Sequence, residues 1–334
     1  MKKIRKHLPF LLLSLLLAGA ICLLTFGSGQ AFKLTTSILY LDNGDKEAVP
    51  LQSLLPGTPS YESQNPSIAS VSKKGIIKAK KTGITQITVS LQGKTKVLEV
   101  RVNYGLYLRS TLAPSRVRSD YPDLSDKAYA NFREVTTTGI KEGILYRSSS
   151  PISPAIGRCT QADAACKEAG IRTILNLCNK KKSLKKYPDY AKTYYSKQNI
   201  LAQKLVADFF SQDFQKGLAK ALRFMIANKG PYLVHCSYGR DRTGFTVAIL
   251  ECLMGASLQE VLHDYMVTYE NYNGLTPSNP VYHDLSTYLM EHDLKKAFQL
   301  DNLDGADLSQ EANSYLREIG LTKKEISALK KRLS

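Results

Sequence analysis

Pro231-Tyr-Leu-Val-His-Cys-Ser-Tyr-Gly-Arg-Asp-Arg-Thr-Gly-Phe-Thr-Val-Ala-Ile-Leu-Glu-Cys-Leu-Met254 is the stretch from which the rest of the sequence can be read. Its first six residues make a short apolar run, the pattern of a strand buried on both faces. Phe245 to Met254 is apolar enough for a buried helix. The turn between them carries the chemistry. Five residues separate Cys236 from Arg242, enough for a loop to curl its backbone N–H groups around one tetrahedral oxyanion at a helix N-terminus. Arg242 offers a fork of donors to two anion oxygens. The positive surroundings favour Cys236 as the thiolate, its nucleophilic form. Thr243 is spaced to offer its hydroxyl to that sulfur, and Gly239 gives the loop its turn and a close approach to the anion. His235, Ser237, Tyr238, Arg240 and Gly244 complete the candidate anion-binding set. A buried structural cysteine beside a solvated arginine is the plainer reading of this spacing alone. The whole run from His235 to Gly244, set between a strand and a helix, argues against it.

Working outward, Ile171-Arg-Thr-Ile-Leu-Asn-Leu-Cys178 is a second apolar run of strand length. Ser211 to Asn228 places Phe214, Leu218, Ala221, Leu222 and Met225 on one helical face and stops before Gly230-Pro231. Ser257 with Glu260, and Thr322 with Glu325, are capping-box spacings that start later helices. These elements predict an α/β domain with a central, mainly parallel sheet flanked by helices. A proton donor for a leaving group must be an acid within reach of the loop. Asp241, inside the loop, and Asp208, ahead of the helix, are the two candidates. Asp213 reads as a first-turn residue complementing the helix dipole.

This region resembles the cysteine-dependent protein tyrosine phosphatases, and within them the bacterial branch with His-Cys-x-x-Gly-Lys-Asp-Arg-Thr-Gly. Gly143-Ile-Leu-Tyr-Arg-Ser148, Ala169-Gly-Ile-Arg-Thr-Ile-Leu-Asn-Leu177 and Gly255-Ala-Ser-Leu-Gln-Glu-Val-Leu-His-Asp-Tyr265 look like further segments of that branch, so the likeness covers most of 126–334. Arg240 stands where the branch has Lys, keeping the cation. The branch's Asp-Leu-Arg is here Asn176-Leu177-Cys178, which loses an acid. The resemblance implies hydrolysis of phosphate monoesters through a phosphocysteine, with no cofactor and no metal, and with Asp241 ahead of Asp208 as the acid. It implies a phosphorylated substrate, phosphotyrosine first, with phosphoinositides or inositol polyphosphates, including phytate, as the alternative. Lys180, Lys181, Lys182, Lys185 and Lys186 follow a strand end, where ligands bind in open α/β sheets, so Lys181 and its neighbours are candidate rim residues. A solvated basic loop explains them equally well. Arg147 is a further candidate for phosphate or for structural pairing. Cys178 ends a strand expected beside the one carrying Cys236, which suggests a reversible Cys178–Cys236 disulfide shielding the nucleophile, with a small buried apolar residue as the plainer reading. A local Cys159–Cys166 pair is a further alternative.

The chain's other half has a different texture. Residues 33–104 read as short strands broken by Lys74-Gly75, Thr82-Gly83 and Gln92-Gly93. Ser63, Asn65, Pro66, Ala69, Val71, Gly75, Ile77, Ala79, Gly83 and Ile87 fall at the spacings of the bacterial Ig-like domain of group 2. That resemblance implies a small all-β sandwich serving as an extracellular spacer or in cell-surface contact. Residues 105–125 read as a linker. Lys2, Lys3, Arg5 and Lys6 precede a leucine-rich run from Leu8 to Phe26, so 1–31 reads as a signal peptide or an uncleaved membrane anchor. The soluble remainder is then exported. The expectation is a multidomain exported phosphatase; a surface adhesion protein with a degenerate phosphatase fold is the alternative of another class.

The 334 residues are 43% hydrophobic and 22% charged, which excludes a disordered chain. The net charge of +17 is spread over the N-terminal head, the β-rich part and the remainder. No basic stretch is interleaved with aromatics, so nucleic acid is not an expected partner. The five histidines and six cysteines offer no metal-ligand spacing.

Overall fold

The structure is a computed structural model and describes residues 31–334. The expected signal or anchor, 1–31, falls almost wholly outside the described residues. Among the described residues no helix is long and apolar enough to cross a membrane. Two compact units meet between Tyr107 and Leu108.

The first unit is all-β. Strands β1 (Phe32–Leu34), β2 (Ile38–Leu41), β3 (Lys46–Ala48), β4 (Leu51–Ser53), β5 (Ser60–Ser63), β6 (Ala69–Val71), β7 (Ile76–Ala79), β8 (Gly83–Leu91) and β9 (Lys94–Val102) follow one another. They form a four-stranded sheet in the order β2-β9-β8-β5, a three-stranded sheet β3-β7-β6, and the pair β1-β4. The alternation of β8 turns Thr85, Ile87, Val89 and Leu91 inward, and β9 turns Leu98, Val100 and Val102 inward opposite them. Ile77 and Ala79 of the smaller sheet share that core.

The second unit is built on β10 (Arg133–Glu134), β11 (Leu145–Ser148), β12 (Thr173–Asn176), β13 (Asn199–Ala202) and β14 (Tyr232–His235), ordered β10-β11-β14-β12-β13. All neighbours are parallel except the β10–β11 edge. Successive residues of β12 and β14 serve opposite cores: Leu175 and Val234 pack on one side, Ile174 and Leu233 on the other. Burial on both faces is why these strands read as unbroken apolar runs. Gln212–Ala227 forms the expected amphipathic helix, capped by the Ser211 side chain accepting from the Phe214 N–H. Both capping boxes, Ser257/Glu260 and Thr322/Glu325, are formed.

The segment expected to be a linker is largely structured. Tyr104–Thr111 is a helix, and Leu108 and Leu112 pack onto the second unit's core. Further on, Tyr121 donates to the Tyr272 carbonyl at 3.1 Å, and Arg158 donates to the Ser115 carbonyl at 3.1 Å. Pro114, Ser115 and Pro122 suggested a linker by composition, but these long-range partners make the strap part of the second unit.

Candidate active site

β14 ends at His235 and the signature helix, Asp241–Met254, begins six residues later. Thr243 to Leu253 is buried throughout, so the helix runs through the core and its N-terminus is fixed in place. The loop between is shaped by what holds its carbonyl oxygens. Ser237 O accepts from the Ser150 N–H at 3.1 Å. Tyr238 O accepts from the Tyr272 hydroxyl at 2.5 Å and from Asn131 Nδ2 at 3.3 Å. Gly239 O accepts from Arg147 at 3.0 Å. With the carbonyls tied to the scaffold, the N–H groups are left over. Among the described residues, none of the backbone N–H groups from Ser237 to Thr243 meets a protein acceptor. A run of unpaired N–H groups at a helix N-terminus is an anion-binding nest.

Gly239 is the residue that permits this path. Its φ is +66°, and a Cβ there would lie 2.2 Å from the Ser148 carbonyl oxygen.

Cys236 lies at the base of the loop and is 1% exposed. The Thr243 hydroxyl is buried and unpartnered among the described residues, as is Nε of Arg242. The other Arg242 nitrogens reach Leu205 O at 3.0 Å, Leu177 O at 3.4 Å and Ser237 Oγ at 3.4 Å. Arg242 therefore spans the end of β12 and the segment carrying Asp208. That segment is pinned again where Phe209 stacks on Phe245, rings 4.5 Å apart. Asp208 lies exposed between these anchors.

The remaining candidates sort differently from the sequence expectation. Arg147 is fully buried, ion-paired with Asp264, and donates to Gly239 O. It holds the loop from behind, so of the two roles open to it on sequence, phosphate ligand and structural pair, it has the second. Arg133 shares Asp264 at 2.8 Å, and the two guanidinium groups hold that carboxylate below the usual range against its burial. Burial pushes His235 down to about 4, so the ring is neutral. Its Nδ1 lies 3.2 Å from Cys236 O and its Nε2 lies 3.0 Å from the Tyr195 hydroxyl. Carbonyl oxygen only accepts, so Nδ1 carries the proton and Nε2 accepts from Tyr195, which itself accepts from Asn176 Nδ2. His235 thus positions the Cys236 carbonyl and is not an anion ligand.

Asp241, preferred on sequence as the acid, accepts from Arg109 at 2.8 Å and from Arg240 at 3.2 Å. Although burial opposes ionisation, these two cations keep its carboxyl below the ordinary value. The two ion pairs tie the Asp241 carboxylate to the loop, whereas Asp208 lies exposed on the neighbouring segment. Arg240 is mostly buried with Asp241, its guanidinium 5.4 Å from the Tyr238 ring and 5.7 Å from the Tyr269 ring. Gly244 packs under Tyr265, where a Cβ would meet the ring at 2.7 Å. Lys181 begins a 3-10 turn, Lys181–Lys186, beyond β12; it, Lys180, Lys182, Lys185 and Lys186 are exposed.

The lost acid of the branch pattern also has an explanation. Asn176 accepts from the Cys178 and Asn179 N–H groups while donating to Tyr195. An aspartate cannot donate. The described cysteines are all free in this structure. Burial first, then the Cys236 charge, pushes the Cys178 thiol up to about 12. Among the described residues there is no cluster suited to a metal ion. Sequence reasoning missed Arg109, Asn131 and Tyr272, which lie far along the chain from the loop and outside any motif.

No curated protein matches the chain. Several solved phosphatases are similar at low identity. The catalytic core of the PP-IP phosphatase SIW14 from S. cerevisiae, in complex with citrate, is 19% identical, covering 51% of this chain and 91% of that one, with TM-score 0.30. P. aeruginosa TpbA is 19% identical over 62% of this chain and 98% of its own, TM-score 0.33. A TpbA variant in complex with pTyr is 16% identical over 56% and 91%, TM-score 0.34. The sequence pattern of the tyrosine phosphatase family matches residues 126–334, the whole of the chain from just before β10 to its end. A match over more than half of the chain, centred on the loop that leaves its N–H groups free above a cysteine, places this protein in the tyrosine phosphatase family as a cysteine-dependent phosphatase.

Proposed function

We propose that this enzyme hydrolyses phosphate monoesters, phosphotyrosine in proteins first among them, through a phosphocysteine at Cys236. The observation that carries the reading is the set of free N–H groups from Ser237 to Thr243, closed by the unpartnered Nε of Arg242. Cys236 Sγ attacks phosphorus and the P–O ester bond breaks. The nest and Arg242 stabilise the equatorial oxygens as charge builds on them. Asp208 gives its proton to the leaving oxygen, then takes one from the water that attacks phosphorus as the P–S bond breaks. The Thr243 hydroxyl, lacking any other partner, donates to the departing sulfur. Asp241 stays ionised as a clamp.

Cys236→Ser should abolish vanadate-sensitive hydrolysis of p-nitrophenyl phosphate and of phosphotyrosine peptides. Undiminished turnover in that variant overturns the reading and favours an adhesive protein with another phosphatase contaminating it.

A second substrate class, inositol polyphosphates or phosphoinositides, is favoured by one observation. Lys180, Lys181, Lys182, Lys185 and Lys186 are exposed and form no ion pair among the described residues. They follow β12, at the sheet end from which the signature loop also leaves. Replacing all five with Gln should raise KM for phytate about tenfold and leave p-nitrophenyl phosphate nearly unchanged. Equal effects remove the reading.

For the N-terminal part, we read 1–31 as an export signal or anchor and the β unit as an Ig-like spacer. The cationic, leucine-rich head and the spacing of Ser63 to Ile87 support this. Cell fractionation with protease accessibility tests it; a protected cytoplasmic enzyme contradicts it.

A further inference from the structure

The family match begins at residue 126, yet one contact to the signature loop comes from before it. Arg109 lies on the helix Tyr104–Thr111 and reaches Asp241 at 2.8 Å. Leu108 and Leu112, on either side of Arg109, are packed against the catalytic core, so the arginine is delivered by a docked segment. Asp241 sits between Arg240 and Arg242, and its carboxylate is also held by Arg240 at 3.2 Å.

We infer that Arg109 is a positioning residue of the phosphate-binding loop, acting through Asp241, so that the functional catalytic unit begins before the segment shared with the family. The inference rests on the proposed phosphocysteine chemistry for its readout.

The physical argument is a charge balance around one carboxylate. Besides Arg240 and Arg109, the groups facing Asp241 are Asp293, from the helix His292–Phe298, and the hydroxyls of Tyr265 and Tyr269 from the helix Leu258–Asn273. Arg109 lies near Asp293 as well. Without Arg109, Asp241 keeps Arg240 as its ion-pair partner. Asp293, pushed up to about 7 chiefly by burial and lowered by His292 and Lys296 of its own helix, loses the same cation. A negative carboxylate in the first turn of the signature helix then faces an incoming phosphate with less compensation. The carboxylate that holds Arg240 near the rings of Tyr238 and Tyr269 is then fixed from one side only. Both changes weaken anion binding at the loop without touching the nucleophile.

The test uses the full chain with p-nitrophenyl phosphate as substrate and inorganic phosphate as competitive inhibitor. Arg109→Ala should lower kcat/KM about tenfold and raise Ki for phosphate by a similar factor. Arg109→Lys should recover most of both. Asp241→Ala should lose a comparable amount, and the double variant should be no worse than the worse single. The acid limb of the kcat/KM profile should move to higher pH in Arg109→Gln, because one of the two cations holding Asp241 ionised is gone. Should Arg109→Ala not fold, Arg109→Gln and Asp241→Asn keep the shapes and carry the same cycle. Unchanged Ki and pH profile in a folded Arg109→Gln, or additive losses in the double variant, overturn the inference. Cys236→Ser separates it from the underlying reading: turnover surviving there refutes the phosphocysteine itself, whatever Arg109 does.

Discussion

The signature loop, 235–244, and the segment carrying Asp208, 203–211, are held in opposite ways. In the first, nearly every carbonyl has a scaffold partner, among them Asn131, Arg147, Ser150, His235 and Tyr272. In the second, the ends are tied, Gln203 and Leu205 to Asn176, Leu177 and Arg242 and Phe209 to Phe245, while Val206, Ala207 and Asp208 between them are exposed. The difference matches the two tasks. Anion binding needs donors whose geometry costs nothing to assemble during the reaction. Acid catalysis needs a carboxyl that can approach and leave, and an exposed crest between two fixed points allows that.

The comparison can be broken first at the rigid loop. Gly239→Ala adds a Cβ 2.2 Å from Ser148 O in a left-handed backbone conformation. It should cost about a hundredfold or more in kcat/KM, since misplacing the donors by about 1 Å has that effect. A well-folded variant with wild-type kinetics would show that the loop is not rigidly held.

The second break is at the acids. Asp208→Asn should lower kcat/KM for an alkyl phosphate about a hundredfold. For p-nitrophenyl phosphate, whose leaving group needs no proton, kcat/KM changes little and only kcat falls, with the slower hydrolysis of the phosphocysteine. Asp241→Asn should affect both substrates alike, because its role is to hold the loop. The opposite pattern would return Asp241 to the role that sequence alone preferred.

The smallest effect concerns stability. Buried His235 has its protonation pushed down to about 4 from an ordinary value near 6.5. Between those values the unfolded chain binds a proton that the folded one refuses, so stability is full above about pH 6.5 and falls as pH drops toward 4. The loss is on the order of 3 kcal/mol. Urea unfolding at several pH values should show this slope in the wild type and a shallower one in His235→Asn. Equal slopes would mean that the ring is not buried neutral.

Much of the second unit was legible because its elements are local patterns. The strand run 231–236, the face Phe214–Met225 and the two capping boxes specify themselves within a few residues. The nucleophile and its arginine were legible for the same reason: Cys236 and Arg242 belong to one loop. What the sequence hid depends on long-range contact. Arg147, a cation near a motif, was open to two readings, phosphate ligand or structural pair, and only its burial against Asp264 decides for the second. Asp241 looked like an acid until Arg109, distant in sequence, appeared beside it. The segment 105–125 looked like a linker by its Pro and Ser content, yet its tyrosines and carbonyls are partners of the core.

The central claim is that Cys236, set beneath a ring of free N–H groups, takes the phosphoryl group. Rapid acid quench of the enzyme turning over p-nitrophenyl phosphate, followed by peptide mass analysis, tests it most directly. One phosphoryl group should appear on the peptide containing Cys236, accumulating when Asp208→Asn slows hydrolysis and absent in Cys236→Ser. Turnover with no adduct on Cys236, or an adduct on another residue, would contradict the account.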